Sequence, residues 1–260
     1  MLGVQNHCTH IVNIVSEKNP LLKEVRRMAA RGGLSEDGFA LAEGPHLLDE
    51  AIRSRVEIQV VIQSESFRGN VDTDARMVTV PDSVFAGLTS AETPQGVLAL
   101  VRPPVWTLDD LCRGTPLIIV LDAVQDPGNA GAIVRVAEAF GATGAVFLNG
   151  SVSPYNPKCL RASAGSTFRM PIVTGLTEEP LLQLPLTIYS SAPRAGLAVG
   201  QAKLSESCAI VIGGEGGGVR AELAARATAV SIPTTGVESL NAAVAAGILL
   251  YEARRQRNAA

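Results

Sequence analysis

Residues 117–121 read LIIVL, an apolar run with no polar interruption. A strand that faces water on one side alternates apolar and polar side chains, so an unbroken run marks a parallel strand buried on both faces. A helical pattern follows over residues 130–140, then a second apolar run at 145–148. Residues 186–189, 209–212 and 229–232 are further short runs with β-branched members, and a last helical pattern covers 240–257. Strand and helix in alternation predict a mostly parallel sheet with helices on both faces. Aromatics make up only 4% of residues, which suits a core of small and aliphatic side chains better than a β-sandwich core.

The first half alternates too. Residues 11–31 place Ile11, Ile14, Leu21, Leu22 and Val25 at helical spacing before a Gly32–Gly33 break. Residues 39–43 predict a short strand, 45–53 a helix, 56–63 and 77–80 strands, 82–88 a short helix capped by Asp82, and 96–101 another apolar run. Three prolines and lost periodicity mark a boundary at 102–116. The expected organisation is a small α/β domain over residues 1–105, a linker over 106–116 and a second α/β domain over 117–260.

Formal net charge is −3, with −3 in residues 1–105 and zero in 106–260, so charge balance does not mark a nucleic-acid partner. An RNA surface would have to be a local patch: Arg26, Arg27 and Arg31; Lys158, Arg161 and Arg169; or Arg254, Arg255 and Arg257. Each cluster also reads as an ordinary solvated face. The four cysteines, at 8, 112, 159 and 208, lack metal-site spacing and are expected as reduced thiols in a cytoplasmic protein without a metal. His7, Cys8 and His10 fit a frayed terminus better than a ligand set. No signal peptide and no apolar run of about 18 residues is present, so no membrane partner is expected.

Three segments carry candidate chemistry. The first, DAVQDPGNAGAIVRVAEAFG over 122–141, begins where a buried strand ends. Asp126–Pro127–Gly128 fits a helix start and Gly141 a helix stop. Arg135 and Glu138, three apart, share a helical face. They form either a site at the carboxyl edge of the sheet or a plain surface pair. The second, GGEGGG over 213–218, lets a ligand approach the backbone closely. It is no dinucleotide loop, because position 219 is Val, and no P-loop, because GK[ST] is missing. The third, IPTTGVESLN over 232–241, places Ser239 as an N-cap for the last helix and Asn241 in its first turn.

In this order and spacing, the three segments resemble the TrmH/SpoU family of RNA ribose methyltransferases, within the SPOUT superfamily. The quoted stretches are LDAVQDPGNAGAIVRVAEAFGA, VIGGEGGGV and IPTTGVESLNAAVAAGILLYE. More weakly, LAEGPHLLDEAI at 41–52 and TPQGVLALV at 93–101 resemble the ribosomal-protein-like substrate-binding domain that often precedes that catalytic domain. The resemblance implies a deep trefoil knot, S-adenosyl-L-methionine as methyl donor, a homodimer, and RNA, with ribosomal RNA ahead of tRNA, as substrate. It implies that Gly213, Glu215, Gly216, Ile232 and Leu240 line the cofactor together with Ser190 and Ser191. Asn129, Arg135, Glu138, Ser239 and Asn241 match the family's functional polar positions, and Arg161, Lys158, Arg26 and Arg27 are the expected RNA contacts. Thr234, Gly217 and the Ala242–Ala243 pair depart from the common pattern without removing a polar group.

The family assigns proton removal to the residue matched by Arg135. A guanidinium stays protonated in proteins. Arg135 is therefore expected to grip a phosphate and stabilise developing oxyanion charge, with Glu138 holding it and Asn129, Ser239 and Asn241 shaping the pocket. A non-catalytic RNA-binding protein on the same fold remains the alternative of a different class.

Overall fold

The computed structural model describes residues 11–14, 16–192 and 196–259. His7, Cys8 and His10 lie outside the described residues. The chain divides into two compact units, Met1–Pro103 with Tyr155–Arg161, and Pro104–Pro154 with Ala162–Ala260.

In the first unit, β1 (Ile11–Asn13), α1 (Pro20–Arg31), β2 (Ala40–Glu43), α2 (Pro45–Arg53), β3 (Glu57–Ser64), β4 (Arg76–Val80), α3 (Asp82–Ala86) and β5 (Val97–Arg102) follow one another. The sheet order is β1-β4-β3-β5-β2, with β5 antiparallel to both neighbours and the other pairs parallel. Residues 11–31, expected as one helical stretch, are instead a strand and a helix. Asn19 ends the connection between them by accepting the Leu21 N–H, and Pro20 opens α1. Asp82 does not cap α3; Pro81 precedes the helix, and Asp82 Oδ1 accepts the Ser66 N–H at 3.0 Å. Leu22, Val25, Leu41, Ile62, Val78 and Leu98 share the core of this unit.

The second unit opens with α4 (Leu108–Leu111), inside the stretch expected as a linker. Leu111 is fully buried in this unit's core with Ile118, Val120 and Val146, so 106–116 packs rather than links. Thr107 and Asp110 close a reciprocal capping box on α4. There follow β6 (Leu117–Asp122), α5 (Pro127–Ala139), β7 (Gly144–Leu148), α6 (Pro157–Ser163), α7 (Ser166–Arg169), β8 (Ile172–Leu176), α8 (Glu179–Leu182), β9 (Thr187–Ser191), β10 (Leu197–Ala198), β11 (Cys208–Gly213), α9 (Ala221–Ala224), β12 (Thr228–Ser231) and α10 (Ala242–Ala259).

The seven strands are ordered β10-β12-β9-β11-β6-β7-β8, and every neighbouring pair is parallel. Every residue of β6 is buried, as its unbroken apolar run requires. In register, Asp122 at the end of β6 lies beside Gly213 at the end of β11. The carboxyl edge of these central strands is therefore where the first and second motifs meet, as open parallel sheets favour. The short β8 and β10 were not legible as strands, and their burial is partial. Cys112, Cys159 and Cys208 are free thiols.

Candidate active site

The glycines of 213–218 are not equivalent. A Cβ added at 213 would collide with the Gly218 carbonyl carbon, and one at 214 with the Ala123 carbonyl oxygen. These two positions need glycine because backbone passes against backbone. Gly218 sits at φ +68°, in the left-handed region, and its N–H closes back onto the Gly214 carbonyl at 2.9 Å. Gly216 and Gly217 border open space.

Beside this loop lies a cavity of about 230 Å³, walled by Gly213, Gly214, Gly218, Glu215, Ser191, Ile232, Ser239 and Leu240, among others. Of the expected cofactor residues, Gly213, Glu215, Ile232, Leu240 and Ser191 are on its wall, and so is Ser239. Ser190 is not; it is buried within β9 between Val211 and Ala229. Gly216 is exposed and off the wall. Thr234 and Glu238 line the cavity and were missed, having no pattern of their own within a loop segment.

The helix starts set the polar groups that reach Glu215. Asp126 caps α5 by accepting the Asn129 N–H at 2.7 Å, with Pro127 at the first helical position. α10 begins at Ala242, later than expected, and its cap is Asn241 rather than Ser239. Asn241 Oδ1 accepts the N–H of Ala243 at 2.9 Å and of Val244 at 3.3 Å. Residues 232–240 are a loop rather than helix, and this releases Ser239 to the cavity.

Asn241 Nδ2 donates to Asn129 Oδ1 at 2.9 Å, and Asn129 Nδ2 donates to Glu215 Oε1 at 2.5 Å. One hydrogen-bonded line therefore joins all three motifs. Its polarity is fixed at both ends: the helix N–H groups claim the Asn241 oxygen, and the carboxylate can only accept.

Arg135 and Glu138 do not pair. Arg135 is exposed and makes no hydrogen bond or ion pair among the described residues. Glu138 is gripped by both arms of Arg169, at 2.7 Å and 2.9 Å. Spacing placed the two on one face of α5, but α7 packs on that helix and supplies a planar fork that takes the carboxylate. Hydrogen bonding to Arg169 holds the Glu138 carboxyl below its usual range, against the opposing effect of burial.

The expected RNA contacts belong to the first unit. Arg26 donates to the Glu17 carbonyl at 2.8 Å, and Arg27 pairs with Glu36 at 3.1 Å. The Lys158 backbone N–H donates to Asn156 Oδ1 at 2.9 Å. Arg161, expected to face RNA, instead turns Nη1 to the buried Glu43 carboxylate and to Ser90 Oγ. A carboxylate that is 3% exposed needs such a partner. In the second unit Arg257 serves structure as well: it donates to the carbonyls of Leu204, Thr115, Pro116 and Glu206 and so fastens α10.

Asp122 and Arg220 were missed. Asp122 is 1% exposed at the end of β6 and pairs with Arg220, whose other arm reaches Glu178. An aspartate closing an apolar run, and an arginine just past the glycine loop, were the available signals.

Residues 116–251 match the SpoU rRNA Methylase family, and residues 19–99 match an MRM3-like substrate binding domain. The chain is similar to the 23S rRNA (guanosine(2553)-2'-O)-methyltransferase RlmP of Bacillus subtilis, at 31% identity over 93% of this chain and 98% of that protein. A crystal structure of an AdoMet-bound rRNA methyltransferase from Sinorhizobium meliloti superposes with a TM-score of 0.83, at 26% identity, covering 94% of this chain and 98% of the other. The SpoU methyltransferase AviRb from Streptomyces viridochromogenes, in complex with AdoMet, shares the fold at a TM-score of 0.85 and 24% identity, covering 93% and 99% of the two chains.

Proposed function

The chain belongs to the SpoU rRNA methylase family, and on that premise we propose that it transfers a methyl group from S-adenosylmethionine to a ribose 2′-hydroxyl of ribosomal RNA. The observation that carries this reading is the Asn241–Asn129–Glu215 line, which joins three motifs far apart in sequence and ends on Glu215 in the cavity wall.

The cavity suits the methyl donor. Ile232, Val230 and Leu240 offer an apolar wall for a flat base. The glycine backbone lets polar groups approach, and Ser191, Ser239 and Glu215 can fix hydroxyl and amine groups. Glu215 also places a carboxylate where a cationic sulfonium is favoured. When bound, S-adenosylmethionine would supply an electrophilic methyl group for the ribose oxygen, with Ser191, Gly213, Ile232 and Leu240 holding the donor.

This chain's residues orient the ribose and its charge. Arg135, exposed and unpaired among the described residues, is available to grip an RNA phosphate and to stabilise charge developing on the oxygen. Asn129 and Asn241 hold each other and Glu215 in one orientation, which keeps this line from reorganising during the reaction. Glu138 acts at a distance, by fixing α7 to α5 through Arg169.

Three further parts of the reading rest on family membership and composition of the surface. The catalytic unit carries a trefoil knot. The protein is a homodimer, for which Val244, Ile248 and Tyr251 provide an exposed apolar face on α10, at 51%, 36% and 56% exposure. The first unit binds the RNA target, in keeping with its match to a substrate binding domain. The expected site of this work is the cytoplasm, in keeping with the bacterial ribosomal RNA methyltransferase among its relatives.

The reading is tested by incubating the protein with methyl-labelled S-adenosylmethionine and unmodified ribosomal RNA, then mapping ribose methylation. Label at one ribose, absent with Arg135→Ala, supports it; label on a base or on tRNA alone overturns it.

A further inference from the structure

The loop 213–218 has one antiparallel bridge of its own, Gly214 to Gly218, and otherwise depends on its surroundings for shape. Both of its ends are tied to a single residue. At the entry, the Gly214 N–H donates to the Asp122 carbonyl at 2.9 Å. At the exit, the Arg220 N–H donates to Asp122 Oδ2 at 2.7 Å. Arg220 Nε donates to Oδ1 of the same carboxylate at 2.8 Å. The guanidinium then reaches outward, to Glu178 Oε2 at 2.7 Å and to the Asn149 carbonyl at 2.8 Å. Asp122 is 1% exposed, and a carboxylate so deeply buried persists as a charge only when fully partnered.

We infer that Asp122 and Arg220 are positioning residues for S-adenosylmethionine: together they clasp both ends of the loop 213–218 and hold it in the form that walls the cavity. Neither side chain lines the cavity itself, so any effect on binding passes through the loop backbone. The physical need is clear from composition. Five of the six residues from 213 to 218 are glycine, which has the greatest backbone freedom of any residue. Unclasped, the loop would have to be ordered by the ligand, and that cost would weaken binding. Glu215 ties this loop to Asn129, but bound ligand orders the loop and restores that contact, so the loss should fall on affinity and largely spare kcat at saturation.

This inference rests on the reading that the cavity holds S-adenosylmethionine, and the experiment separates the two. Arg220→Lys keeps the charge and the backbone N–H but cannot span three acceptors with a planar fork. The triple variant Asp122→Asn, Glu178→Gln and Arg220→Gln removes all three charges and strands none. S-adenosylmethionine is titrated calorimetrically into the full-length wild type and both variants. Thermal melts, and kcat and KM on ribosomal RNA, are measured alongside. The expected result is binding about tenfold weaker in the variants, the KM for S-adenosylmethionine raised in the same ratio, and kcat at saturation within about twofold of wild type. Folded variants that bind as tightly as wild type overturn the inference, as does a fall in kcat with unchanged affinity. Variants that both fail to fold overturn it in favour of a purely structural ion pair. Wild type that does not bind S-adenosylmethionine overturns the reading of the cavity and this inference with it.

Discussion

Asn241 donates its side-chain amide to Asn129 at 2.9 Å while its oxygen caps α10, so one residue both starts a helix and orients its neighbour on α5. The two roles are separable by substitution. Asn241→Asp keeps the acceptor for the helix N–H groups but has no donor for Asn129 Oδ1. The expected outcome is a melting temperature within about 2 °C of wild type, because aspartate caps as well as asparagine. Turnover should fall at least about tenfold, because Asn129 loses its fixed orientation. Asn241→Ala should lose both, with a stability cost of about 1 kcal/mol. Denaturant melts and single-turnover rates on the two variants check this.

Arg135 is exposed and unpaired among the described residues, so removing it should cost almost no stability. Arg135→Ala is expected to lower kcat/KM by about 100-fold or more while leaving S-adenosylmethionine affinity close to wild type. Arg135→Lys should recover only part, since a point charge replaces a bidentate fork. Calorimetry alongside methyl-transfer assays reads both quantities.

The glycine loop predicts a graded alanine series. Gly214→Ala meets the Ala123 backbone and should destabilise by about 1–3 kcal/mol, with loss of cofactor binding. Gly217→Ala borders open space and should stay within about 0.5 kcal/mol of wild type. Equal effects at the two positions, measured by denaturant melts, would contradict the close-approach account.

The Glu138–Arg169 pair makes stability depend on acid. The folded-state value of Glu138 lies below the ordinary 4.5, so the unfolded chain takes up its proton first as pH falls. The pair's contribution is present above about pH 4.5 and is lost as pH drops through the lowered value. Glu138→Gln should therefore narrow the stability gap between pH 7 and pH 3, seen in urea midpoints. A variant gap as wide as that of wild type would assign the acid sensitivity elsewhere.

The apolar face of α10 predicts the assembly state. Tyr251 extends that face onto α5 by an edge-on contact with Phe140, ring centroids 5.8 Å apart. Ile248→Asp places a charge on the patch and should yield a folded monomer in sedimentation experiments. A wild-type monomer at micromolar concentration would remove the dimer from the proposal.

The unbroken LIIVL run of β6, the Asp126–Pro127 helix start and the order of three motifs were legible in the sequence. Each is local, because burial on both faces, cap chemistry and fixed φ are properties of a few adjacent residues. From them the parallel sheet, the family resemblance and six residues of the cavity wall followed. Partnership was decided only by tertiary structure. Helical spacing put Glu138 beside Arg135, yet Arg169, 31 residues further on, takes its carboxylate. Arg161 turned from solvent to the buried Glu43, 118 residues away, and Asp122 found Arg220 across 98 residues. A charged side chain is satisfied by whichever partner the fold brings within about 3 Å, and the sequence carries no local trace of that choice.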